Sequence, residues 1–476
     1  MFSLRIVHLN DHHSHIEPEG FDIEPDEKFF PISLQGMEEI EVEVGGWPLL
    51  VPAFQAAVEE AEDMNMPVLK LHAGDAITGT QYYTAYAGET DAAFMNAVCF
   101  DAYALGNHEF DDGDTGLANF LDFLSEHSGD CHTSVVAANV VPGPDSPIKG
   151  KIDKNAVFKY KGHKVGVIGI DIRQKTLISS SPDEGTDVLD EETVAREQAA
   201  MLMADGVDII VLLTHVGVDT DLSTMANIPG VDIVVGGDSH TFMGFTPPVP
   251  IEETNYDYPG KNDAACEIIC PQVWQFCFLT HLHHWFPLSS EIVMKDDGTI
   301  TCVAHAYQYS TLMGVLDATF DDDGNVVSCS GNPVVPYSVA NSGLSDKEAM
   351  DLVKYLDGTF WKNTMADEAA TSAIAGLEGE LDALFGAVIG EIAEDICYER
   401  IPGQGRSQIC DCSESETQGG GVCNVVAQSF IATTPTADIA LQNSGGCRTD
   451  LPAGPFTIGD AYRLLPFSNT IVTMEA

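Results

Sequence analysis

The chain has 476 residues, 44% of them hydrophobic, which is enough for two or three domains with a sizeable buried core. Its 74 acidic against 21 basic residues leave a formal charge of −53, which excludes nucleic acid and anionic membranes as partners for the surface as a whole. No run of about 18 apolar residues occurs, so no membrane span is expected, and a phosphate ester could be handled only where strong local positive charge, such as bound metal, offsets that surface.

Along residues 1–340, short apolar runs rich in β-formers alternate with helical stretches. The runs fall at 4–9, 67–71, 102–105, 135–138, 165–170, 209–213 and 231–235, and helices are predicted at 51–63 and 191–204. Such alternation implies a layered α/β domain. Residues 341–395 change character. Ser345 with Glu348 three residues on forms a capping-box signature, and 367–392 is rich in Ala, Leu and Glu, so a helical connector is predicted here. From 396 to 476 a second domain begins, rich in Gly and Cys and then in strand-like runs.

Two segments stand apart. Residues 261–293 are apolar, aromatic and His-rich, unlike the acidic chain around them, and read as an atypical insertion or a translated intron. His281, His283 and His284 there are only a compositional hint of metal. The chain also stops at Ala476, within what reads as an apolar strand, so the second domain is expected to be incomplete at its C-terminus. No signal peptide is expected within this sequence, though a cleaved leader could precede it. Five of the twelve cysteines, Cys397, Cys410, Cys412, Cys423 and Cys447, lie close together. Their spacing does not fit a zinc ribbon, and at least one disulfide is expected there, which implies an extracellular or other oxidising compartment. Nothing in the sequence fixes the oligomeric state.

Five of the apolar runs end in the same way. They are followed by Asn10-Asp11-His12-His13, by His72-Ala73-Gly74-Asp75, by Gly106-Asn107-His108-Glu109-Phe110-Asp111, by Thr214-His215 and by Gly236-Gly237-Asp238-Ser239-His240. Functional groups of α/β folds collect at the carboxyl ends of strands, so these clusters should converge on one rim. Carboxylates, imidazoles and one amide suit Zn²⁺, Mn²⁺ or Fe better than a thiolate site does. A pair of ions needs a carboxylate that can bridge them, and Asp75, after a glycine that permits close approach, is the candidate.

These five motifs resemble those of the calcineurin-like metallophosphoesterases, specifically the 5′-nucleotidase family. The resemblance covers most of 1–250, resumes near 298–340, and resumes again at 438–475, where Ala440-Leu-Gln-Asn443-Ser-Gly-Gly-Cys-Arg448 and Leu465-Pro-Phe467 are similar to the family's C-terminal substrate domain. It implies a four-layer αββα-type metallophosphoesterase domain with a second, smaller α/β substrate domain. It also implies two divalent metal ions (Mn, Zn, Mg, Ca or Co) and hydrolysis of nucleoside 5′-monophosphates. By that resemblance Asp11 and His13 hold the first metal, with His240 completing its site. Asp75 bridges, and Asn107, His215 and Asp238 hold the second. His108 and Asp111 form a catalytic dyad. Asn443, Gly445, Gly446 and Arg448 contact the nucleotide, and Phe467 stacks on its base.

The chain departs from the family at Asp238, where a His is usual. A carboxylate there is harder and favours Mn²⁺, Mg²⁺ or Ca²⁺ over Zn²⁺. The family's phosphate-side arginines have no clean counterpart, Arg406 being the nearest. Rival readings are a nucleotide pyrophosphatase, a cyclic phosphodiesterase or a UDP-sugar hydrolase on the same scaffold, thiosulfate-ester hydrolysis, and a nucleotide-binding protein without turnover.

Overall fold

The computed structural model describes residues 1–23, 25, 30–37, 39–126, 129, 131–243, 291–357, 359–399, 407, 409–410, 420–467 and 469–474. The segment 261–290, which carries most of the expected insertion, lies outside the described residues, as do Arg406 and Cys412.

Two six-stranded sheets build the larger part. In the first, the parallel strands Phe2–Leu9, Val68–His72, Ala102–Ala104 and Ser134–Val136 lie side by side, and Gly314–Phe320 and Val326–Ser330 extend the edge beyond Phe2–Leu9 in antiparallel fashion. In the second, His163–Asp171, Ile209–His215, Ile233–Gly236 and Ile300–His305 run parallel, flanked by the antiparallel strands Asn155–Tyr160 and Glu291–Met294.

Side-chain alternation explains the layering. In the first strand Leu4 and Ile6 face the second sheet, while Val7 and Leu9 face helices. In Ile209–His215, Ile209, Val211 and Leu213 enter the same inter-sheet core, and Ile210 and Leu212 face the helical layer on the other side. Strands buried on both faces read as continuous apolar runs, as these do. The result is the expected helix–sheet–sheet–helix arrangement, with helices such as Gly46–Asp63 and Gly113–Glu126 outside one sheet and Glu191–Ala204 outside the other.

A third, four-stranded sheet orders Trp361–Asn363, Val335–Ser338, Ile40–Val44 and Glu19–Ile23. The helix Asp346–Leu356 covers it through Leu352 and Leu356, and Ser345 and Glu348 form the reciprocal capping box foreseen in the sequence. The stretch expected as a helical connector thus holds this helix and Glu368–Phe385, but also two strands, Trp361–Asn363 and Val388–Ile392. The second of these pairs with Gly454–Thr457, so it is joined to the C-terminal part of the chain.

That C-terminal part packs a small core of Tyr398, Val422, Val426, Cys447, Leu451 and Leu464. Disulfides Cys397–Cys410 and Cys423–Cys447 staple it, and Cys99–Cys131 and Cys302–Cys329 tie the larger part. The expected terminal strand does not form: residues 469–474 have no regular structure, and Val472 is 73% exposed. A strand needs a ladder partner, and none lies beside it among the described residues. No helix among the described residues is long and apolar enough to cross a membrane.

Candidate active site

The carboxyl ends of the parallel strands in both sheets meet at one edge, and backbone hydrogen bonds lock their loops together. Asp11 N donates to Gly74 O (3.0 Å), His13 N to Asp75 O (3.1 Å) and Gly237 N to Thr214 O (3.0 Å). The chain must turn sharply as it leaves each strand. Asp11, His13, Asp75, Asp238 and His240 all have φ between 48° and 77°. A residue with a Cβ pays roughly 1–3 kcal/mol for such a conformation, and strain of this kind gathers where side-chain aim matters.

Two glycines show how tight the rim is. A Cβ on Gly74, itself at φ 89°, would lie 2.6 Å from His215 Nδ1, and one on Gly106 would lie 2.3 Å from Asp75 Oδ1. Only bare backbone admits the ligand side chains here.

Three clusters of possible metal donors result: Asp11, His13 and His240; Asp11, Asp75 and His215; and His13, Asp75 and His108, with the donor atoms of each within 4.8 Å of one another. Asp11 and Asp75 each belong to two of them. His215 Nε2 lies 3.0 Å from Asp75 Oδ2 and 3.9 Å from Asp11 Oδ1, and His240 Nε2 lies 3.3 Å from Asp11 Oδ1. His13 Nε2 is 3.5 Å from Asp75 Oδ2 and 3.2 Å from His240 Nε2. Partners outside the cluster aim the rings: His215 Nδ1 meets Ala73 O at 2.7 Å, His13 Nδ1 meets Thr78 O at 3.1 Å, and His240 Nδ1 meets Gln308. With Nδ1 engaged in this way, each ring presents Nε2, the arrangement common among metal-binding histidines.

The electrostatics fit divalent cations. Burial pushes the Asp75 carboxyl up, yet His215 and His108 pull it well below the usual carboxylate range. Asp11 is also lowered, burial being outweighed by His240 and His215. Burial pushes His215 down, but Asp75 and Asp11 raise it well above its ordinary value. Its buried Nε2 has no hydrogen-bond partner even so, although Asp75 is close. Two buried carboxylates among imidazoles, with an orphaned ring nitrogen aimed between them, form a site that cations would neutralise.

His108 stands beside this cluster. Its N–H donates to Asp75 Oδ1 at 2.9 Å, and its Nδ1 meets Asp111 Oδ2 at 2.7 Å. Asp111 is held in turn by Ser180 Oγ at 2.8 Å. Burial lowers the His108 imidazole, but Asp111 and Asp75 outweigh it and the net shift is upward, which favours the protonated ring. With Nδ1 engaged, proton transfer falls to Nε2.

The remaining expected residues are spread more widely. Asn107 is buried at the same rim, one residue before His108. Asp238 Oδ1 is 4.0 Å from His215 Nε2, belongs to none of the three clusters, and pairs with Lys175. Arg448 comes from the C-terminal part, donates to the Tyr309 hydroxyl at 3.3 Å and lies 5.4 Å from the Phe467 ring centre. Phe467, expected to stack on a base, stacks on His108 itself, with ring centres 5.1 Å apart and planes 17° off parallel. Asn443 is exposed, and Gly445 and Gly446 form a single turn of 3₁₀ helix with Ser444.

Several residues at the rim escape sequence reasoning. Glu109 accepts from the backbone N–H of Asp75 (3.0 Å), Ala76 (2.7 Å) and Gly106 (2.6 Å), tying two ligand loops together. It sits inside one of the five motifs, so its position was available. Tyr309 stacks on His15 at 4.0 Å and turns its edge to His13 and His240. Lys175 reaches Asp238 from 63 residues away. Neither carries a local signal.

Known proteins match this architecture. The family model for calcineurin-like phosphoesterases matches residues 4–242, and that for the 5′-nucleotidase C-terminal domain matches residues 388–476. A probable 5′-nucleotidase of Treponema pallidum (strain Nichols) is 30% identical over the whole chain, which covers 73% of it. An NAD 5′-nucleotidase of Haemophilus influenzae is 30% identical over 99% of the chain, which covers 71% of it. Among solved structures, a 5′-nucleotidase precursor from Thermus thermophilus superposes with a TM-score of 0.70 at 27% identity, over 98% of this chain and 75% of the other. The Haemophilus influenzae NAD nucleotidase gives 0.67 at 28% identity, over 98% and 74%.

Proposed function

The chain belongs to the 5′-nucleotidase family of metal-dependent phosphoesterases, and from that premise we propose that it hydrolyses nucleoside 5′-monophosphates to nucleoside and phosphate at this rim. One observation carries the reading most: Asp75 belongs to two of the three donor clusters while its Oδ1 also receives the backbone N–H of His108, whose ring is paired with Asp111. A bridging carboxylate and an oriented proton donor are thereby a single connected unit.

In this reading Asp11, His13 and His240 would hold one ion, Asn107, His215 and Asp238 the other, and Asp75 would serve both. Two divalent ions held by these residues would supply positive charge to the phosphoryl group and lower the pKa of a bound water. His108, raised by its two carboxylate neighbours, delivers a proton from Nε2 to the departing 5′-oxygen, and Asp111 keeps the ring in that tautomer. Arg448, half-buried against Tyr309, offers a planar cation to the substrate phosphate. We assign catalysis to residues 1–340 and nucleotide recognition to residues 396–476, with Asn443, Gly445, Gly446 and Phe467 among its contacts. The strand Val388–Ile392 goes with that second part. The four disulfides among the described residues support an oxidising, extracellular setting.

The decisive experiment is a phosphate-release panel after chelation and add-back of Mn²⁺, Zn²⁺, Mg²⁺, Ca²⁺ or Co²⁺. Nucleoside 5′-monophosphates should be the best substrates, and release should need added metal. A second reading has a specific basis, since one relative is an NAD 5′-nucleotidase. The panel therefore includes NAD, UDP-sugars and cyclic nucleotides. Preferential cleavage of any of these would replace the monophosphate assignment, and metal-independent release would remove the two-ion reading.

A further inference from the structure

Lys175 lies in the short helix Arg173–Ile178, which follows the strand His163–Asp171. That helix and the loop after it are fixed at both ends. Thr176 Oγ1 donates to Asp171 Oδ2 at 2.8 Å, and Asp171 pairs with His215 across the sheet. Beyond the helix, Ser180 Oγ holds Asp111 Oδ1 at 2.8 Å and Ser181 N donates to Phe110 O at 3.0 Å. A rigid segment thus spans from beneath His215 to the His108–Asp111 dyad, and Lys175 projects from it.

Its ammonium lies 2.5 Å from Asp238 Oδ1. Asp238 is itself constrained: its φ is 77°, its N–H donates to both Asp11 oxygens at 3.1 and 3.0 Å, and its side chain is 8% exposed. Lys175 remains 47% exposed, so its charge stays open to solvent and to a ligand. Arg448 approaches the cluster from the C-terminal part, near His13 and Tyr309, whereas Lys175 approaches on the side of Asp238 and His215.

The charge balance explains why a lysine is useful there. Asp238 adds a third carboxylate to Asp11 and Asp75. Against two divalent ions, three carboxylates leave one net positive charge, while a phosphate monoester carries nearly two negative charges at neutral pH. Resting on the two-ion reading above, we propose that Lys175 is a substrate-positioning residue: its ammonium offsets the Asp238 carboxylate and, in addition to Arg448, supplies positive charge that receives the phosphoryl dianion. In a chain with a formal charge of −53 the local field has to be built side chain by side chain.

The test is calorimetric titration of inorganic phosphate into the Mn²⁺-loaded full chain, with metal content measured on the same samples. Lys175→Met keeps the stem and removes the charge. It should retain two ions per chain, weaken phosphate binding by roughly 5- to 30-fold, the scale of one near cation at a partly wet site, and raise KM for the nucleotide while kcat stays within about threefold, as loss of ground-state charge attraction does. Lys175→Arg should recover most of the affinity. An exposed ion pair with a merely structural part would lower the melting temperature and leave phosphate affinity alone, and that result overturns the inference. Loss of metal from Lys175→Met also overturns it, because the lysine would then be supporting the ions rather than the phosphate. If the unaltered chain holds no metal, or holds metal and binds no phosphate, the proposed function itself fails and this inference falls with it.

Discussion

His108 meets three different neighbours: Asp75 through its backbone N–H, Asp111 through Nδ1 and Phe467 across its face. The first two set its charge and tautomer, and the third restricts the swing of the ring. His108→Ala should lower kcat and kcat/KM together by roughly 10²–10⁴-fold, the scale of a lost proton donor. Bound metal should hardly change, because Asn107 is the assigned ligand; a matching loss of metal would make His108 a ligand, as its membership of the third donor cluster would allow. Phe467→Ala separates two roles for that ring. A side chain that touches only the base would leave hydrolysis of a small aryl phosphate intact. Because Phe467 lies on His108, its loss should reduce kcat on the aryl phosphate several-fold and raise KM for nucleotides as well. An unchanged rate on the aryl phosphate would show that the stack with His108 does nothing for turnover. Motif position assigns Phe467 to the site, but which ring it meets depends on a contact between residues far apart in sequence, and no local pattern carries that.

At the scale of elements, the sequence is most informative where one segment carries its own signal. Five of the parallel strands announce themselves as apolar runs followed by Asp, Asn or His, and the capping box at Ser345 and Glu348 is local chemistry. Ile40–Val44 alternates strictly, Ile-Glu-Val-Glu-Val, and is still easily missed because its acidic outer face suggests a loop. Trp361–Asn363 cannot be read at all, since a three-residue strand exists only by pairing with Val335–Ser338. Asp232 shows how one side chain can join elements. It precedes the strand Ile233–Gly236, accepts from Ile210 N through its carboxylate at 2.8 Å, and through its backbone oxygen accepts from Cys302 N at 3.1 Å. Burial pushes its carboxyl up to about 7, against the opposing pull of the Ile210 N–H and Lys295. The unfolded chain sheds this proton near 3.8 and the folded chain keeps it to about 7. Between those values the folded state binds more protons, so this group costs stability as pH rises and its full penalty stands above pH 7. Asp232→Asn, which keeps the acceptor and does not titrate, should therefore raise the melting temperature over the unaltered chain at pH 8 and by much less at pH 4. An equal gain at both values would mean that charge at Asp232 is not what the folded state resists.

Across the whole molecule, the imbalance of 74 acidic to 21 basic residues means that even if every basic side chain were paired, 53 carboxylates would lack a partner. Among the described residues some ion pairs are intra-helical, such as Arg196 with Glu192 and Lys347 with Asp351, and pairs of that kind contribute little. Folding gathers this charge into a smaller volume, so self-repulsion opposes the compact state and is relieved by screening. The Debye length falls from about 10 Å at 0.1 M salt to about 3 Å at 1 M. The metal rim is affected less, because Asp11, Asp75 and His215 are buried and buried pairs are poorly screened. Stability and chemistry should therefore respond differently to salt. Raising KCl from about 0.05 to about 1 M at fixed pH and fixed free Mn²⁺ should increase the melting temperature by several degrees, while kcat at saturating nucleotide changes by less than about twofold. Chloride is the appropriate anion, since sulfate or phosphate would stabilise by exclusion from the surface and phosphate would also compete for the site. Scanning calorimetry and initial-rate assays across the same salt series check both halves. A melting temperature that stays flat or falls would mean that surface repulsion is not a significant load on this fold, and that the acidic composition must be explained by something other than its electrostatics.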